Sequence, residues 1–233
     1  MNITDLELNF AEVRAEIEAA RLSAGREDEV LLLAAAKSAT PEQLCYAHEK
    51  LGLTDIGENR VNQLLERWPL LPRSLRVHFI GSLQTNKVKY IIDKVCMIHS
   101  LDSERLAAEI ERQAAKRDLT MDVLVEINSG REESKGGIMP EEAADFCRSL
   151  SAYPHLNLRG FMTMAPKCEK KEDFLKYFAE TSSLTLDIWQ KKLDNINRPV
   201  LSMGMSDSFS AAIACGSTMV RVGRRLFAAR GEN

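Results

Sequence analysis

The sequence predicts a single (β/α)8 barrel, an α/β fold of the TIM-barrel type, with an extra N-terminal helix. Eight short apolar segments recur along the 233 residues, and amphipathic stretches separate them. This alternation is typical of repeated βα units, and eight such units favour closure into a barrel. A doubly wound open sheet is the alternative. Because no linker or low-complexity tract interrupts the pattern, residues 1–233 are expected to form one domain.

The first two helices carry clear signals. The first is predicted by apolar residues that recur on one helical face, namely Leu6, Phe10, Val13 and Ile17, and Gly25 marks its end. The second is predicted to start at Pro41, because Thr40 and Gln43 have the spacing of a capping box. Longer helical stretches are predicted at Ser103–Lys116, Pro140–Ser151 and Lys171–Lys192.

The eight predicted strands are short and apolar. Leu31–Ala36 is apolar at both its odd and its even positions, as expected of a parallel strand that is buried on both faces. The other predicted strands are Leu53–Ile56, Val77–Ile80, Met97–Leu101, Met121–Ile127, Leu158–Met164, Val200–Met203 and Met219–Val222. The alternating methionine pairs Met162/Met164 and Met203/Met205 are explained first by core packing.

Composition narrows the classes of function. The net charge of −3 gives no overall basic excess for nucleic acid or an anionic membrane, although a local basic pocket is compatible with it. The five cysteines form no C-x-x-C pair, and the four histidines lack metal-ligand spacing, so no metal site is expected. No signal peptide or long apolar run is apparent, and the protein is expected to be cytoplasmic.

In a barrel of this type the active site lies where the strands end, and Lys37 follows the first predicted strand. Desolvation at the barrel mouth would favour a neutral amine, which can attack an aldehyde to form an imine. The alternative is that Lys37 simply leaves the strand end for water. The residues alone favour this second interpretation and leave the first open.

A second cluster follows the last two strands. Ser206 and Asp207 are predicted to cap the next helix, and backbone N–H groups there and at Gly223 and Arg224 are predicted to cradle a phosphate. The alternative is ordinary capping at Ser206 and a simple turn at Gly223. The residues alone favour neither.

Several sequence blocks resemble the pyridoxal phosphate homeostasis proteins, whose barrel is similar to that of alanine racemase. The blocks are Ala35–Ser38, Ile56–Val61, His78–Lys87, His99–Ser103, Glu133–Gly137, Gly160–Met164, Ser202–Asp207 and Val220–Gly223. The resemblance implies that pyridoxal 5′-phosphate (PLP) is the cofactor and that Lys37 holds it as a Schiff base. Arg224 and Arg225 depart from the family's usual small or hydroxyl residue after Gly223, which makes the rim more basic.

The resemblance also assigns the remaining cofactor-binding residues. Ser206, with the backbone of Gly223 and Arg224, would hold the phosphate. Arg221 would face the pyridine nitrogen, and Asn59 would lie near the ring hydroxyl. Secondary candidates are His78, Lys135 and Met203.

Two functions follow, and the first is favoured. An arginine on the pyridine nitrogen weakens the cofactor as an electron sink, and the racemase's second domain, which supplies an opposing tyrosine, has no counterpart in the sequence. A monomeric protein that buffers or delivers PLP, with apo PLP-dependent enzymes as partners, is therefore expected. The alternative is an amino-acid racemase or lyase with a second base from Tyr46, Tyr90 or Lys135. A barrel that binds another phosphorylated metabolite without a covalent link is a third class.

Overall fold

The fold is a closed barrel of eight parallel strands in chain order. The computed structural model describes residues 2–132, 135–168, 170–192 and 199–230. Strand β8 pairs with β1 and closes the ring, so the predicted (β/α)8 fold is confirmed. The strands are β1 (Leu31–Ala35), β2 (Asp55–Glu58), β3 (Arg76–Phe79), β4 (Met97–Leu101), β5 (Met121–Ile127), β6 (Leu156–Thr163), β7 (Val200–Ser202) and β8 (Met219–Val222).

The helices cover the outside of the barrel, and α1 is the predicted N-terminal addition. Its apolar stripe is buried as expected, and it packs against α2, α8 and α9. The capping box of α2, formed by Thr40 and Gln43, is also confirmed. The helices are α1 (Ile3–Ser23), α2 (Pro41–Leu51), α3 (Val61–Arg67), α4 (Val88–Ile91), α5 (Glu104–Ala115), α6 (Ala143–Ser149), α7 (Lys171–Lys192), α8 (Phe209–Ala214) and α9 (Arg224–Phe227).

Some predicted strand ends are wrong by one or two residues. The first strand ends at Ala35, because Ala36–Ser38 turn into a 3-10 helix. The second begins at Asp55 rather than Leu53, whose N–H instead bonds the Ala47 carbonyl at 3.0 Å to finish α2 over the left-handed Gly52.

The methionine pairs are only half explained by core packing. Met162 and Met203 are fully buried, whereas Met164 and Met205 are each more than 40% exposed. Strands β6 and β7 end at Thr163 and Ser202, so Met164 and Met205 lie beyond the sheet.

The inside of the barrel holds two small apolar clusters. One joins Leu33, Ile80 and Met219, and the other joins Met97, Leu124 and Met162. Leu33 lies in β1 and Ile80 directly follows β3, and because these strands are not neighbours the two side chains meet across the interior. Polar side chains of His78, His99, Ser202 and Arg221 also lie inside, at the interior positions of their strands. The interior is therefore partly polar.

No helix in the described part of the chain is long and apolar enough to cross a membrane. The same residues contain no group of three or more His, Cys, Asp or Glu side chains arranged to hold a metal ion.

Candidate functional site

A cavity of about 410 Å³ lies at the mouth of the barrel, where the strands end. It brings together side chains that follow or end β1 to β6. Its lining residues are Lys37, Asn59, Arg60, Ile80, Gly81, Ser82, Asp102, Glu126, Ile127, Asn128, Lys135, Gly136 and Met164. A larger hollow of about 830 Å³ lies at the other end of β1, beside α1. The mouth is the better candidate because polar groups from different strands converge there.

Lys37 lines this cavity from the 3-10 turn that follows β1. The expectation that the barrel mouth desolvates its amine is wrong, because Lys37 is exposed. Two residues beyond the strand, the side chain has already left the sheet. The Lys37 amine therefore lines the cavity while remaining accessible to solvent and to other molecules.

The turn that carries Lys37 is fixed from behind by Arg67. The Arg67 guanidinium donates to the carbonyls of Ala36 and Ala39 at 2.8 and 2.9 Å, on either side of Lys37. It also pairs with Glu58 at 2.8 Å. Burial raises the pKa of Glu58, and the Arg67 charge opposes that rise. Removing one member of a buried pair typically costs about 3–5 kcal/mol, so the turn is held firmly.

The loops that follow β7 and β8 contain the predicted phosphate-binding residues, and they lie beside the turn that carries Lys37. The Arg221 N–H donates to the Gly204 carbonyl at 3.0 Å, which joins the loop before α8 to β8. A Cβ added at Gly223 would lie only 2.8 Å from the Ala35 carbonyl oxygen. Glycine therefore lets the turn after β8 approach the end of β1 closely. The half-buried Ser206 belongs to the same pair of loops.

The predicted caps at Ser206 and Asp207 are wrong. The N-cap of α8 is Ser208, whose Oγ accepts the Met205 N–H at 3.1 Å. Asp207 instead forms an exposed ion pair with Arg224 across the two loops. Helix α8 begins two residues later than the prediction requires.

The two arginines at the rim differ in role. Arg224 stands at the mouth beside Asp207, whereas Arg225 pairs with Glu16 of α1 and stacks on Phe209. Of these two arginines, only Arg224 therefore lies at the rim, and Asp207 offsets its charge there.

Arg221 lies inside the barrel beneath these loops. Its Nη1 donates to the carbonyl and hydroxyl oxygens of Ser202 at 2.5 and 2.8 Å, and its Nη2 donates to the Thr163 carbonyl at 2.9 Å. These bonds use three of the five guanidinium N–H groups. Burial lowers the pKa of Arg221 to about 10, and Glu126 opposes this effect. The side chain remains a cation at neutral pH.

The remaining predicted residues separate into two groups. Asn59 and Lys135 line the cavity, and Lys135 pairs with Glu132 at 2.6 Å. A Cβ on Gly81 would lie 2.1 Å from the Asn59 carbonyl, so that glycine sets the position of the Asn59 segment. His78 and Met203 do not line the cavity, because both are fully buried.

Glu126 is the main site residue that sequence reasoning missed. It lines the cavity and is only 9% exposed. Burial raises its pKa to about 7, the negative charge of Asp102 adds to the rise, and Arg221 opposes it. The available signal was a single acidic residue at the otherwise apolar end of β5. Burying a charge costs free energy, so an acidic residue there indicates a functional or structural role.

Comparison with known proteins identifies the family. The model of the alanine racemase N-terminal domain matches residues 10–230. A pyridoxal phosphate homeostasis protein of Aquifex aeolicus is 39% identical over 222 residues, which cover 95% of this chain and 96% of that protein. The chain belongs to the pyridoxal phosphate homeostasis proteins, within the alanine racemase N-terminal domain family. The family resemblance read from the sequence blocks is thereby confirmed.

Solved structures agree with this assignment to the pyridoxal phosphate homeostasis proteins. An unknown protein from Bifidobacterium adolescentis has a TM-score of 0.88 at 30% identity and covers 97% of each chain. PipY of Synechococcus elongatus PCC7942, solved with PLP bound, has a TM-score of 0.82 at 26% identity, covering 96% of this chain and all of that one. Near-complete coverage means that the likeness extends over the whole barrel.

We expect the stability of this homeostasis-family protein to depend on pH through Glu126. The folded pKa of about 7 exceeds the ordinary value of 4.5. The stability contributed by protonated Glu126 is therefore present below pH 4.5 and lost as pH rises through about 7. At pH 8, Glu126→Gln should unfold at a higher urea concentration than wild type. Its free energy of unfolding should be greater by at most about 3 kcal/mol, and this difference should shrink at pH 5.

The exposed substitution Glu66→Gln is the control, and it should follow the wild-type pH profile. Equal urea midpoints for Glu126→Gln and wild type at pH 8 would contradict the expected cost of the buried charge.

Proposed function

We propose that this chain binds PLP at the barrel mouth, holds it as a Schiff base on Lys37, and buffers or delivers it instead of turning over amino acids. The observation that carries the proposal is a lysine on a firmly held turn that presents its amine to a polar cavity. The family assignment and the PLP bound to PipY support the choice of cofactor.

The residues present fit this cofactor. The cavity of about 410 Å³ lies within the range of small-ligand pockets, roughly 300–1,000 Å³. PLP supplies an aldehyde that forms imines with amines, and Lys37 supplies the amine. Arg221 would hold the pyridine nitrogen by donating one of its remaining N–H groups. Asn59 would lie near the ring hydroxyl.

The phosphate would be held between the loops that follow β7 and β8. Ser206 and the backbone of Gly223 and Arg224 would provide the donors, and the two loops are already joined by the bond from Arg221 to Gly204. Arg224 is exposed and pairs with Asp207, so its side chain would favour a phosphate dianion only by exchanging that carboxylate for the phosphate. Arg225 would not take part, because it is tied to α1.

The identity of Arg221 favours a carrier over an enzyme. A carboxylate on the pyridine nitrogen strengthens PLP as an electron sink, whereas an arginine cannot accept a proton and leaves that nitrogen unprotonated. The Aquifex relative is named for homeostasis and not for a reaction. Both facts support binding without efficient turnover.

The alternative, an amino-acid racemase or lyase, would need a second base at the mouth. Tyr46 bonds to Glu7 of α1 at 2.6 Å, and Tyr90 is exposed between the cations of Lys87 and Lys89. Neither tyrosine lines the cavity. Lys135 does, and it is therefore the candidate that this alternative retains.

The broader setting is part of the same proposal. We propose one PLP-binding domain over residues 1–233, working as a monomer in the cytoplasm, with apo PLP-dependent enzymes as recipients. An exposed Lys37 suits this role, because an incoming amine can reach the cofactor without the barrel opening.

Lys37 should carry the covalent link. Borohydride reduction of the PLP-loaded protein, followed by peptide mapping, is expected to place the pyridoxyl group on Lys37, because its amine is held at the cavity. Lys135→Arg should give the same adduct, whereas Lys37→Arg should give none at that peptide. An adduct found chiefly on Lys135 or Lys87 would show that the assignment is wrong.

Binding of the PLP phosphate should depend on Ser206. Ser206→Ala removes one hydrogen bond to a charged group, so PLP affinity should fall about ten- to a hundredfold. Pyridoxal, which lacks the phosphate, should bind wild type more weakly still. Ser210→Ala, an exposed change on α8, is the control. Equal affinities for PLP and pyridoxal would exclude a phosphate anchor.

The loaded protein should transfer its cofactor without catalysing amino-acid chemistry. Mixed with an apo PLP-dependent enzyme, it should restore that enzyme's activity. When the loaded protein is incubated with L-alanine in deuterium oxide, the alanine should gain no more α-deuterium than it does with free PLP. The reason is that a missing general base lowers the rate by about 10²–10⁴-fold. Rapid α-deuteration that disappears in Lys37→Ala would favour the racemase alternative.

A further inference from the structure

A row of hydrogen-bonded side chains, here called the relay, crosses the barrel interior. Arg221 Nη1 lies 2.8 Å from Ser202 Oγ, which lies 3.1 Å from His99 Nδ1. His99 Nε2 lies 2.9 Å from His78 Nδ1, and His78 Nε2 lies 2.7 Å from Asp55 Oδ1. Each of the five residues is at most 5% exposed. The relay therefore links Arg221 to the first residue of β2, at the opposite end of the barrel from the mouth.

The two ends of the relay fix the direction of every bond in it. A guanidinium can only donate, so Arg221 donates to Ser202, and an ionised carboxylate can only accept, so His78 donates through Nε2 to Asp55. A neutral imidazole has one N–H, so His78 Nδ1 accepts from His99 Nε2. His99 Nδ1 then accepts the Ser202 hydroxyl proton. With one N–H on each ring, both histidines therefore carry it on Nε2.

The opposite arrangement leaves a buried proton without an acceptor. If His99 carried its proton on Nδ1, it would donate to Ser202 Oγ, which also accepts from Arg221. The Ser202 hydroxyl proton would then have no partner, since its described contacts are those two groups alone. Buried polar groups in native proteins are almost always hydrogen-bonded, which favours the first arrangement.

The electrostatic surroundings agree with this assignment. Burial lowers the pKa of His99 well below its usual range, and the Arg221 charge adds to the lowering, which agrees with a neutral His99 ring. Burial alone would raise the pKa of Asp55, but hydrogen bonds from His78 and Thr54 hold it below its ordinary value. Arg76 also forms an ion pair with Asp55, with Nε 2.9 Å from Oδ1. Asp55 is therefore an anion at neutral pH.

We propose that Asp55 is a positioning residue for the cofactor site, acting through the relay to hold Arg221 as a fixed donor beneath the mouth. Asp55 does not line the cavity. Without its carboxylate, the His78 Nε2–H loses its acceptor, and the histidines and Ser202 no longer have a single arrangement. Arg221 keeps its bonds to the carbonyls of Ser202 and Thr163, but its bond to Ser202 Oγ is then no longer held in one orientation. The effect on PLP rests on the proposed function, whereas the relay itself does not.

The first test needs neither a cofactor nor a variant in the relay. The chain has four histidines, so ¹⁵N-histidine labelling with single substitutions of the half-buried His48 and His155 identifies their ring signals and leaves those of His78 and His99. Long-range ¹H–¹⁵N correlation at pH 7.5 should show His78 and His99 as neutral Nε2–H tautomers. A cationic ring or an Nδ1–H tautomer at either position would overturn the relay as drawn.

The second test compares variants of Asp55. Asp55→Leu removes the acceptor, and it should shift the Arg221 Nη resonances of the cofactor-free protein, weaken PLP binding about tenfold and move the visible absorption band of the loaded protein. Asp55→Asn keeps an acceptor oxygen and should stay within about threefold of wild type. Asp122→Asn, an acidic residue on β5 at the same end of the barrel, is the matched control.

Ser202→Ala interrupts the relay in its middle with a smaller change, and it covers the case in which Asp55→Leu fails to fold. A merely structural role would lower the thermal midpoint without moving the Arg221 resonances or the visible band, and that result would overturn the proposal. If wild type binds no PLP at all, the proposed function fails, while the Arg221 resonances still decide whether Asp55 positions that side chain.

Discussion

The pairing of β1 with β8 is the contact on which the site depends. Four register pairs, from Leu31↔Met219 to Ala34↔Val222, close the sheet into a barrel. Because parallel strands end at the same edge, this closure places the turn that carries Lys37 beside the turn at Gly223. In an open sheet of the same order, those two turns would lie at opposite edges. The absence of a Cβ at Gly223 allows the final approach to the Ala35 carbonyl.

A second constraint is that charges removed from water must be hydrogen-bonded. The barrel meets it twice near Lys37. In the helix layer, Arg67 pairs with Glu58 and uses its other N–H groups on the carbonyls around Lys37. In the interior, Arg221 is held by groups of β6 and β7 and is the first member of a row of hydrogen-bonded side chains that ends at Asp55. The same bonds that satisfy these two guanidinium groups also fix the geometry of the mouth.

The site joins an exposed lysine to a buried, rigid floor. Lys37 remains accessible, while Arg221 and Glu126 beneath it are almost fully buried. An accessible amine allows exchange with other amines, whereas an arginine on the ring nitrogen, as proposed for Arg221, would give no help to carbanion chemistry. This combination is what the proposed carrier role requires, and the near-neutral pKa of Glu126 makes the floor sensitive to its charge state.

The sequence by itself determined the eight-strand rhythm, the capping box of α2 and the family blocks around Lys37, because these depend on local periodicity and on short motifs. It placed β4, β5 and β8 at their observed bounds. It could not show that Lys37 is exposed, that Arg67 holds its turn, or that Glu126 faces the cavity. These facts depend on contacts between strands and helices far apart in the chain, and on which face of a strand turns inward. Only the closed barrel decides them, because closure alone determines which polar groups leave water together and must therefore bond to one another.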